Sequence, residues 1–583
     1  MAHDAAPLTP FPLDLLVERI HHEWSSRKRV FDLPTARFFD VTSGPDLSAD
    51  FMGRRAATPI GPAAGPHTQL AENIVLGWLG GARIFELKTV QILDELEIAR
   101  PCIDMQTIGY NIEWSQELKI SQSIEEYTKA WMLIEILRQW DELTPFLGPD
   151  PGPHIFDISV GYDLAGIQSD PVAGFIDAMT HGRAEIERLR PLLRGGPFDA
   201  FADLEFPESM ADTATLSTFH GCPPDEIESI SKHLMTRHGL DVVVKLNPTL
   251  LGFDAVSEIV IGELGYDEVR LRNSDFDADL QFDRGVELIG ELTQFASERG
   301  RSLGVKLTNT LVVENHRGFL PDDTMYLSGA PLHVVSMTLL QRLHEALPGM
   351  LRVEGANGPV QVSWSAGITK DNFPAAAGLG LTPVTVCSDL LKPGGYGRLK
   401  PMLTALQKAI EASGLDDLSD WVAGAGGSVA DYVRSLRDPA TNQAYTREGT
   451  SKLPRAVDHT LEMWGCVACN FCVTVCPNDA FFRVPTPENL DVSGRQQYFV
   501  LAELCNECGN CLVFCPEEGD PALVKPRLFL DENRFAAARG QAFLLSPADG
   551  GWSATAKPGY GEHTDRLTQV LGDPEGLPFW SEA

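Results

Sequence analysis

Short apolar segments alternate with helix-length stretches between Thr58 and Leu399. Nine such segments occur, TPIGPAAG, RIFELKTV, HIFDISVGY, TATLSTFHGC, DVVVKLNPT, DEVRLRNSD, GVKLTNTL, VQVSWSAGI and TPVTVCSDLL. Continuous apolar strands separated by helices are what a parallel sheet buried on both faces requires. The pattern predicts an α/β protein built on a (β/α)8 TIM barrel with helical insertions, in which DEVRLRNSD, GVKLTNTL or HIFDISVGY lies outside the barrel.

The same pattern divides the chain into five parts. In order, we predict a helical extension (1–56), the barrel (57–413), a helical linker (414–455), a small α+β two-cluster ferredoxin-like domain (456–529) and a C-terminal tail (530–583). The extension contains an amphipathic helix pattern from Leu13 to Trp24. A helical insertion at 105–150 is expected to roof the barrel mouth or to make a subunit contact.

Eight of the eleven cysteines form two copies of one motif, C-x2-C-x2-C-x3-C-P. Thiolates suit both zinc and iron–sulfur clusters. Structural zinc usually takes two CxxC pairs, whereas this spacing is that of two-cluster ferredoxins, in which the fourth cysteine ligates the other cluster. The motifs therefore predict two [4Fe–4S] clusters that relay electrons. The predicted ligands are Cys466, Cys469, Cys472 and Cys515 for one cluster, and Cys505, Cys508, Cys511 and Cys476 for the other.

The charge balance limits the kinds of partner. The chain has 81 acidic and 47 basic residues, a formal net charge of −34. This surplus repels phosphate backbones and anionic lipids, so we expect neither nucleic-acid nor membrane binding; the charge serves either solubility or the docking of a basic redox partner. The sequence has no apolar run of about 18 residues and no signal-peptide pattern at its start, which predicts a cytoplasmic protein.

A second cofactor is expected at the barrel mouth. Clusters pass single electrons whereas most metabolites take two together, and a flavin converts between these modes. Barrels often bind phosphate after strands seven and eight, where SWSAGI and VTVCSDLLKPGGYGRL lie. Gly367 lets backbone N–H groups approach a phosphate and Ser388 adds a hydroxyl, so both are candidates for an FMN phosphate site.

Taken together, these segments resemble a known family. GPAAGPHTQ, ELKTV, LSTFHGCPP, VKLNPT, KLTNT, SAGI and VCSDLLKPGG, in this order, resemble the FMN barrel of dihydroorotate and dihydropyrimidine dehydrogenases. The resemblance is closer still to the N-terminal part of bacterial proteins named as selenate reductase subunits. It implies that Lys88 stabilises reduced flavin. It also implies that Lys245, Asn247 and Asn309 contact flavin or substrate and that Gly367 and Ser388 hold the phosphate. Ala64, Thr89 and Lys306 are further candidates for cofactor binding.

The identity of the catalytic acid stays open. The family's catalytic loop reads NLSCP with a cysteine acid, whereas here Thr218 follows LS and Cys222 comes later, in HGCPP. A cysteine on a mobile loop suits proton donation. Cys222 is therefore the first candidate, with His220 and Thr218 as alternatives and a structural role for Cys222 also open. Lys306 has apolar neighbours and meets either the flavin or a buried ion-pair partner. Cys387 is predicted to lie in the strand core.

The sequence thus predicts an FMN- and iron–sulfur-dependent enzyme. Its expected reaction is hydride transfer between FMN and a C=C or C=N bond of a small cyclic amide, such as a pyrimidine or purine. The sequence has no counterpart of the FAD/NAD(P)H half of dihydropyrimidine dehydrogenase, which implies an NAD(P)H-oxidising flavoprotein subunit or a ferredoxin as partner, and a homo-oligomer is compatible with it. The alternatives are an electron-transfer subunit without a metabolite, a glutamate-synthase-like barrel and a non-enzymatic binding protein.

Overall fold

The computed structural model of the chain describes residues 7–93, 98–112, 116–217, 220–488, 490–548 and 551–572, with positions 577 and 579. A ring of eight parallel strands forms its centre. In chain order these are β1 (Ile60–Pro62), β2 (Ile84–Glu86), β3 (Ile155–Gly161), β4 (Ala211–Ser217), β5 (Asp241–Leu246), β6 (Leu303–Leu307), β7 (Val360–Trp364) and β8 (Val384–Val386). Each strand from β2 to β8 pairs in parallel with the next, and β8 pairs with β1.

The ring closes between β1 and β2. The backbone N–H of Arg83 donates to the carbonyl oxygen of Ile60 at 2.9 Å. Gly61 permits this approach, because a Cβ at that position would lie 1.5 Å from the carbonyl oxygen of Ile84. The predicted (β/α)8 barrel is therefore confirmed.

The ninth strand candidate, residues 267–275, lies outside the barrel. It forms a turn and the start of the helix Asn273–Ala278. Its charged residues Glu268, Arg270 and Arg272 alternate with apolar ones, so the segment cannot be buried on both faces as a barrel strand must be. The other two candidates for the peripheral place are β3 and β6.

Eight helices follow the eight barrel strands. After the N-terminal helix α1 (Leu13–Arg27), they are α2 (Ala71–Leu79), α3 (Ile120–Arg138), α4 (Asp170–Thr180), α5 (Pro224–Arg237), α6 (Phe282–Ser297), α7 (Ala330–Ala346), α8 (Phe373–Gly378) and α9 (Leu399–Ala412). Shorter helices in the connections are Thr144–Leu147, Leu164–Ile167, Arg183–Leu189, Phe253–Ser257 and Asn273–Ala278. None of the helices that the structure describes combines the length and apolar character needed to cross a membrane.

Helix α3 fills part of the predicted insertion at 105–150. It packs against α2 and α4. The start of the same stretch, Gly109–Asn111, lies at the barrel mouth as expected of a roof, and the subunit contact stays a prediction. The hydroxyl of Tyr127 on α3 donates to the carbonyl oxygen of Lys88 at 2.9 Å. The helix is buried along most of its length because it is the crossover between β2 and β3, the ordinary place of a helix in this fold.

A separate antiparallel sheet covers the barrel mouth. We call it the cap sheet; its strands, in spatial order, are Leu311–Glu314, Thr324–Ser328, Gly109–Asn111 and Ile103–Asp104. Two of these strands follow β2 in the chain and two follow β6. The cap sheet therefore ties together two distant loops above the C-terminal ends of the barrel strands.

The C-terminal region forms a second sheet beside the barrel. Its strands, in both chain and spatial order, are β9 (Phe481–Pro485), β10 (Gln496–Leu501), β11 (Arg527–Phe529), β12 (Phe543–Ala548) and β13 (Gly551–Ala556). The remaining helices are α10 (Leu418–Gly424), α11 (Val429–Arg437), α12 (Phe471–Val475), α13 (Asn510–Phe514), α14 (Pro521–Val524), α15 (Glu532–Ala537) and α16 (Thr564–Leu571). Phe543–Ala548 and Gly551–Ala556, which lie in the predicted tail, thus add two strands to the sheet of the ferredoxin-like region.

Candidate functional site

A cavity of about 190 Å³ lies between the cap sheet and the C-terminal ends of the barrel strands. Barrel enzymes place their chemistry at this end of the strands. The cap sheet contributes Ile103, Tyr110, Tyr326 and Ser328 to the wall. Eight of the predicted site residues line the cavity: Ala64, Lys88, Thr89, His220, Lys245, Asn309, Gly367 and Ser388.

Lys88 follows β2 and is almost fully buried. Burial lowers the pKa of its ammonium group to about 8, although the carboxylate of Glu117 acts in the opposite direction. Its backbone is fixed on both sides, because its N–H donates to the carbonyl oxygen of Thr68 at 3.1 Å and its own carbonyl accepts from Tyr127. A buried amine with this pKa suits the stabilisation of an anion at neutral pH.

A buried carboxylate, Glu86, holds two lysines beneath the cavity. Its oxygens lie 2.8 Å from Nζ of Lys306 and 3.5 Å from Nζ of Lys245. Burial opposes ionisation of Glu86, but Lys245 and Lys306 outweigh it and lower the pKa of the carboxyl to about 2. Lys306 therefore takes the ion-pair alternative and does not line the cavity. Sequence reasoning missed Glu86, although it lies only two residues before Lys88, a spacing that puts two side chains on the same face of an extended segment.

Amide and carboxylate side chains form a second polar network. Nδ2 of Asn309 donates to Oδ1 of Asn247 at 2.7 Å, and Nδ2 of Asn247 donates to Asp279 at 3.3 Å. Asp279 also lies 3.1 Å from Nδ1 of His220 and accepts from the hydroxyl of Thr249 at 2.6 Å. Asn309 and His220 thus line the cavity, while Asn247 stands behind Asn309. Asp279, which is absent from our predicted site residues, positions His220 directly and Asn309 through Asn247.

Cys222 does not line the main cavity. It is 4% exposed and faces a small adjoining space with Asn247, Leu250 and Asp279. Burial raises the pKa of its thiol to about 12. Of the two candidate acids that the structure describes, His220 and Cys222, His220 lines the cavity. Thr218 lies outside the described residues, and the role of Cys222 as acid stays a prediction.

Cys387 corrects our expectation of a core residue. It follows β8 directly and lines the main cavity. Its Sγ lies 4.0 Å from Nδ1 of His67, and burial raises the pKa of the thiol to about 11, with Lys88 and Lys245 acting in the opposite direction. The sequence suggested a core position because VTVC reads as a continuous apolar strand, but the strand ends at Val386.

A tight turn at Gly367 follows β7, and the hydroxyl of Ser388 follows β8. Gly367 has a φ of +56°, and a Cβ there would lie 2.3 Å from the carbonyl oxygen of Gly329. The hydroxyls of Ser388 and Ser328 are 2.8 Å apart and line the same wall. Helix α7 begins beside them at Ala330. Positive φ, hydroxyls and a helix N-terminus are features of phosphate sites.

Four cysteines surround a smaller cavity in the C-terminal region. We call Cys466, Cys469, Cys472 and Cys515 the distal cysteine group. Burial raises the pKa of the Cys472 thiol well above its ordinary value, and its three cysteine neighbours raise it further. Thiolates that repel one another in this way need a cationic centre, and four soft sulfur ligands fit an iron–sulfur cluster or zinc.

The other four motif cysteines form a second group. We call Cys476, Cys505, Cys508 and Cys511 the proximal cysteine group. Burial raises the pKa of the Cys511 thiol well above its ordinary value, and Asp520 and then the other three cysteines raise it further. The fourth cysteine of each motif therefore lies near the first three of the other motif, and the two motifs fold as one unit.

The proximal cysteine group contacts the wall of the barrel cavity. The carbonyl oxygen of Cys508 accepts from the backbone N–H groups of Cys102 and Ile103, at 3.0 Å each, and Ile103 lines the cavity. The side-chain amide of Asn510 donates to the carbonyl oxygen of Leu391, another lining residue, at 2.8 Å. By contrast, Cys469 of the distal group is exposed.

Comparison with known proteins finds matches over both regions. Residues 31–434 match the family described as oxidoreductase YgfK, N-terminal TIM-barrel domain, and residues 465–518 match a 4Fe–4S dicluster domain. YgfK of Escherichia coli strain K12 and that of Escherichia coli O157:H7 are each 36% identical to the chain over 517 residues, which is 85% of this chain and 47% of theirs. The chain thus spans about half the length of these curated relatives.

Solved structures with similar folds include two of dihydroorotate dehydrogenase (DHODH) from Eimeria tenella. The ligand-free form has a TM-score of 0.41 at 16% identity, over 70% of this chain and 97% of that one. The complex with ferulenol has the same TM-score and identity, over 66% of this chain and 90% of that one. The family match covers most of the chain, and on that basis the chain belongs to the family of the oxidoreductase YgfK N-terminal TIM-barrel domain and carries a 4Fe–4S dicluster domain.

Proposed function

We propose that the chain is an iron–sulfur flavoprotein oxidoreductase. It transfers a hydride between FMN and a C=C or C=N bond of a small cyclic amide, pyrimidine- or purine-like, while two [4Fe–4S] clusters relay electrons to or from a partner protein. The observation that carries this proposal is the contact of Cys508 with Cys102 and Ile103. It joins a four-cysteine group to the wall of a polar cavity at the barrel mouth.

The cavity residues fit an FMN. The backbone at Gly367 and the hydroxyls of Ser328 and Ser388 suit its phosphate, and the ammonium group of Lys88 suits the anionic reduced ring. When bound, FMN supplies hydride exchange and the conversion between two-electron and one-electron transfer.

The polar side chains of the cavity would bind and orient the substrate. Lys245 is held by Glu86, and Asn309 by Asn247, so both side chains have defined positions before a ligand enters. A cyclic amide presents alternating C=O and N–H groups, which ammonium and carboxamide side chains can match. Pre-positioned polar groups of this kind favour binding because little side-chain entropy is lost.

Reduction of a C=C bond adds a hydride to one atom and a proton to its neighbour. His220 lines the cavity and is oriented by Asp279, so it is the described residue best placed to give or take that proton. Cys222 would need a different position of its loop to reach the cavity. The assignment of the acid to His220 is therefore part of the proposal.

The two cysteine groups fit the two clusters. Each offers four thiolate ligands, and the crossed grouping is the one that this spacing gives in two-cluster ferredoxins. The proximal cysteine group would exchange electrons with the barrel cavity, and the distal cysteine group would exchange them with the proximal one.

A relay without a metabolite is the second candidate. It would make the chain an electron-transfer subunit of a larger redox complex. The position of Cys222 outside the cavity favours it, because a relay needs no proton donor beside a substrate.

The two candidates are separated by anaerobic titration of the protein reconstituted with iron, sulfide and FMN. We expect a dihydropyrimidine or a reduced purine to bleach the flavin, and NAD(P)H alone to leave it oxidised. Rapid bleaching by NAD(P)H alone would show that no partner is needed. Bleaching by dithionite but by no cyclic amide would support the relay, and failure to bind FMN would refute both candidates.

A variant at the barrel mouth and one away from it give a matched comparison. Ser388→Ala should weaken FMN binding about tenfold, since it removes a hydroxyl from the phosphate site. Ser297→Ala, on the exposed end of α6, should leave binding unchanged. Equal affinities in the two variants would remove Ser388 from the site.

A further inference from the structure

The two cysteine groups differ in their access to the surface. In the proximal cysteine group, Cys508 and Cys511 are buried, Cys508 contacts the barrel, and none of the four cysteines is exposed. In the distal cysteine group, Cys469 is exposed. An electron that enters or leaves the protein by a short path therefore passes through the distal cysteine group.

Apolar side chains border that exposed cysteine. Val467 and Val457 are 50% and 40% exposed. Both are attached to the segment after Cys515, because the N–H of Val457 donates to the carbonyl oxygen of Pro516 at 2.7 Å and that of Val467 donates to Glu517 at 3.4 Å. We call Val457, Val467 and Cys469 the docking face.

Exposed apolar residues are concentrated in this region. Within the described residues, the large hydrophobic side chains with high exposure are Leu93, Tyr162, Leu453, Val457, Val467 and Leu512. Four of these six lie between residues 453 and 512, in or beside the cysteine motifs. Val457 and Val467 share one neighbour, the segment after Cys515, and apolar groups that lie together on a surface indicate an interaction site.

The charge of the chain indicates the nature of the partner. Three exposed acidic residues lie near the docking face: Asp458 and Glu462 are close to Val457 in the sequence, and Glu518 pairs with Thr460. Two exposed basic residues, Lys452 and Arg455, precede Val457 in the sequence. At long range, the electrostatic field is determined by the net charge of the whole chain, which is −34. This field attracts a partner with a basic surface and repels an acidic one.

We infer that the docking face binds a one-electron redox protein whose own redox group is surrounded by basic residues. The inference deepens the proposed function, since it requires the clusters of that proposal. Each event moves one electron between the partner's redox group and the distal cluster, and then between the two clusters. No bond forms and no proton is needed, so electrons alone balance the exchange.

The test uses the double variant Val457→Lys/Val467→Lys in the full chain. The control is Ser297→Lys on α6, which adds one positive charge, as each substitution in the double variant does. Clusters are reduced with dithionite, excess reductant is removed, and electron transfer to cytochrome c, a basic one-electron haem protein, is followed by stopped-flow absorbance. Benzoquinone serves as a small, uncharged oxidant that needs no docking face. Iron content and EPR spectra establish that the clusters are intact.

We expect the double variant to reduce cytochrome c at least tenfold more slowly and with a weaker salt dependence, while oxidation by benzoquinone is unchanged. An unchanged rate with cytochrome c would overturn the inference, and so would an equal loss in Ser297→Lys. The assay starts from reduced clusters, so it is independent of FMN and of any metabolite. Failure of the docking face and failure of the proposed flavin chemistry are therefore distinguishable.

Discussion

Replacement of Glu86 by glutamine tests the buried charge network beneath the cavity. The carboxyl has a pKa of about 2 in the fold against an ordinary value of 4.5. At about 1.36 kcal/mol per pKa unit, this difference favours the ionised form by about 3 kcal/mol. The variant also leaves Lys306 and Lys245 without their shared carboxylate. We therefore expect Glu86→Gln to lower the free energy of unfolding by about 3 to 5 kcal/mol.

The measurement is urea unfolding of the full chain, read by hydrogen exchange of peptides from β2, β5 and β6. Local exchange is needed because a chain with a barrel and a second region need not unfold in two states. Glu287→Gln on α6 is the control, because its carboxylate is exposed and its loss should cost within about 0.5 kcal/mol. Glu86→Gln/Lys306→Met should recover part of the loss, since it removes an unpaired buried charge.

The pH dependence has a definite sign. The folded pKa of Glu86 lies below the ordinary one, so its contribution is fully present above about pH 4.5 and is lost as pH falls towards about 2. The gap in stability between wild type and Glu86→Gln should be constant from pH 8 to pH 5 and narrow below that. A gap no larger than that of Glu287→Gln, or one that widens in acid, would refute the reasoning.

Three further predictions concern the redox path. Arg100→Gln removes a buried guanidinium that donates to Sγ of Cys102 at 2.9 Å and lies near Cys508. Because positive charge favours the added electron, EPR titration of this variant should show a lower midpoint potential for the proximal cluster and an unchanged one for the distal cluster. Activity that needs charged Lys88 should fall as pH rises through about 8, and Lys88→Met should abolish that step in the pH–rate profile. Cys515→Ser should impair the distal cluster and Cys476→Ser the proximal one, as iron content and EPR would show; loss of the opposite cluster would contradict the crossed grouping.

The strand pattern predicted the barrel because each barrel strand is buried on both faces and therefore reads as a continuous apolar run. The same reasoning missed the cap sheet, whose strands are two to five residues long and come from two distant loops. Strands of that length have too few residues for a periodic signal, and only the closed barrel brings them together.

The sequence predicted the lysines of the polar site but not the carboxylates that hold its side chains in place. Lys88 and Lys245 were identified through the resemblance to FMN barrels, because the ELKTV and VKLNPT segments that contain them match that family. Glu86 and Asp279 were missed, since the sequence does not show which lysines or amides they would meet. A buried carboxylate is stable only with such partners, and those come from other strands and loops.

The redox region and the barrel share a buried boundary. Arg19 on α1 pairs with Asp479 at 2.8 Å, just after the first cysteine motif, and both side chains are buried. The hydroxyl of Tyr396 donates to the carbonyl oxygen of Pro477 at 2.9 Å. Separating the two regions would leave these groups without partners, at a cost of several kcal/mol. The boundary therefore holds the proximal cysteine group against the cavity. Electron transfer between the two regions then needs no flexible movement of the linker at residues 414–455.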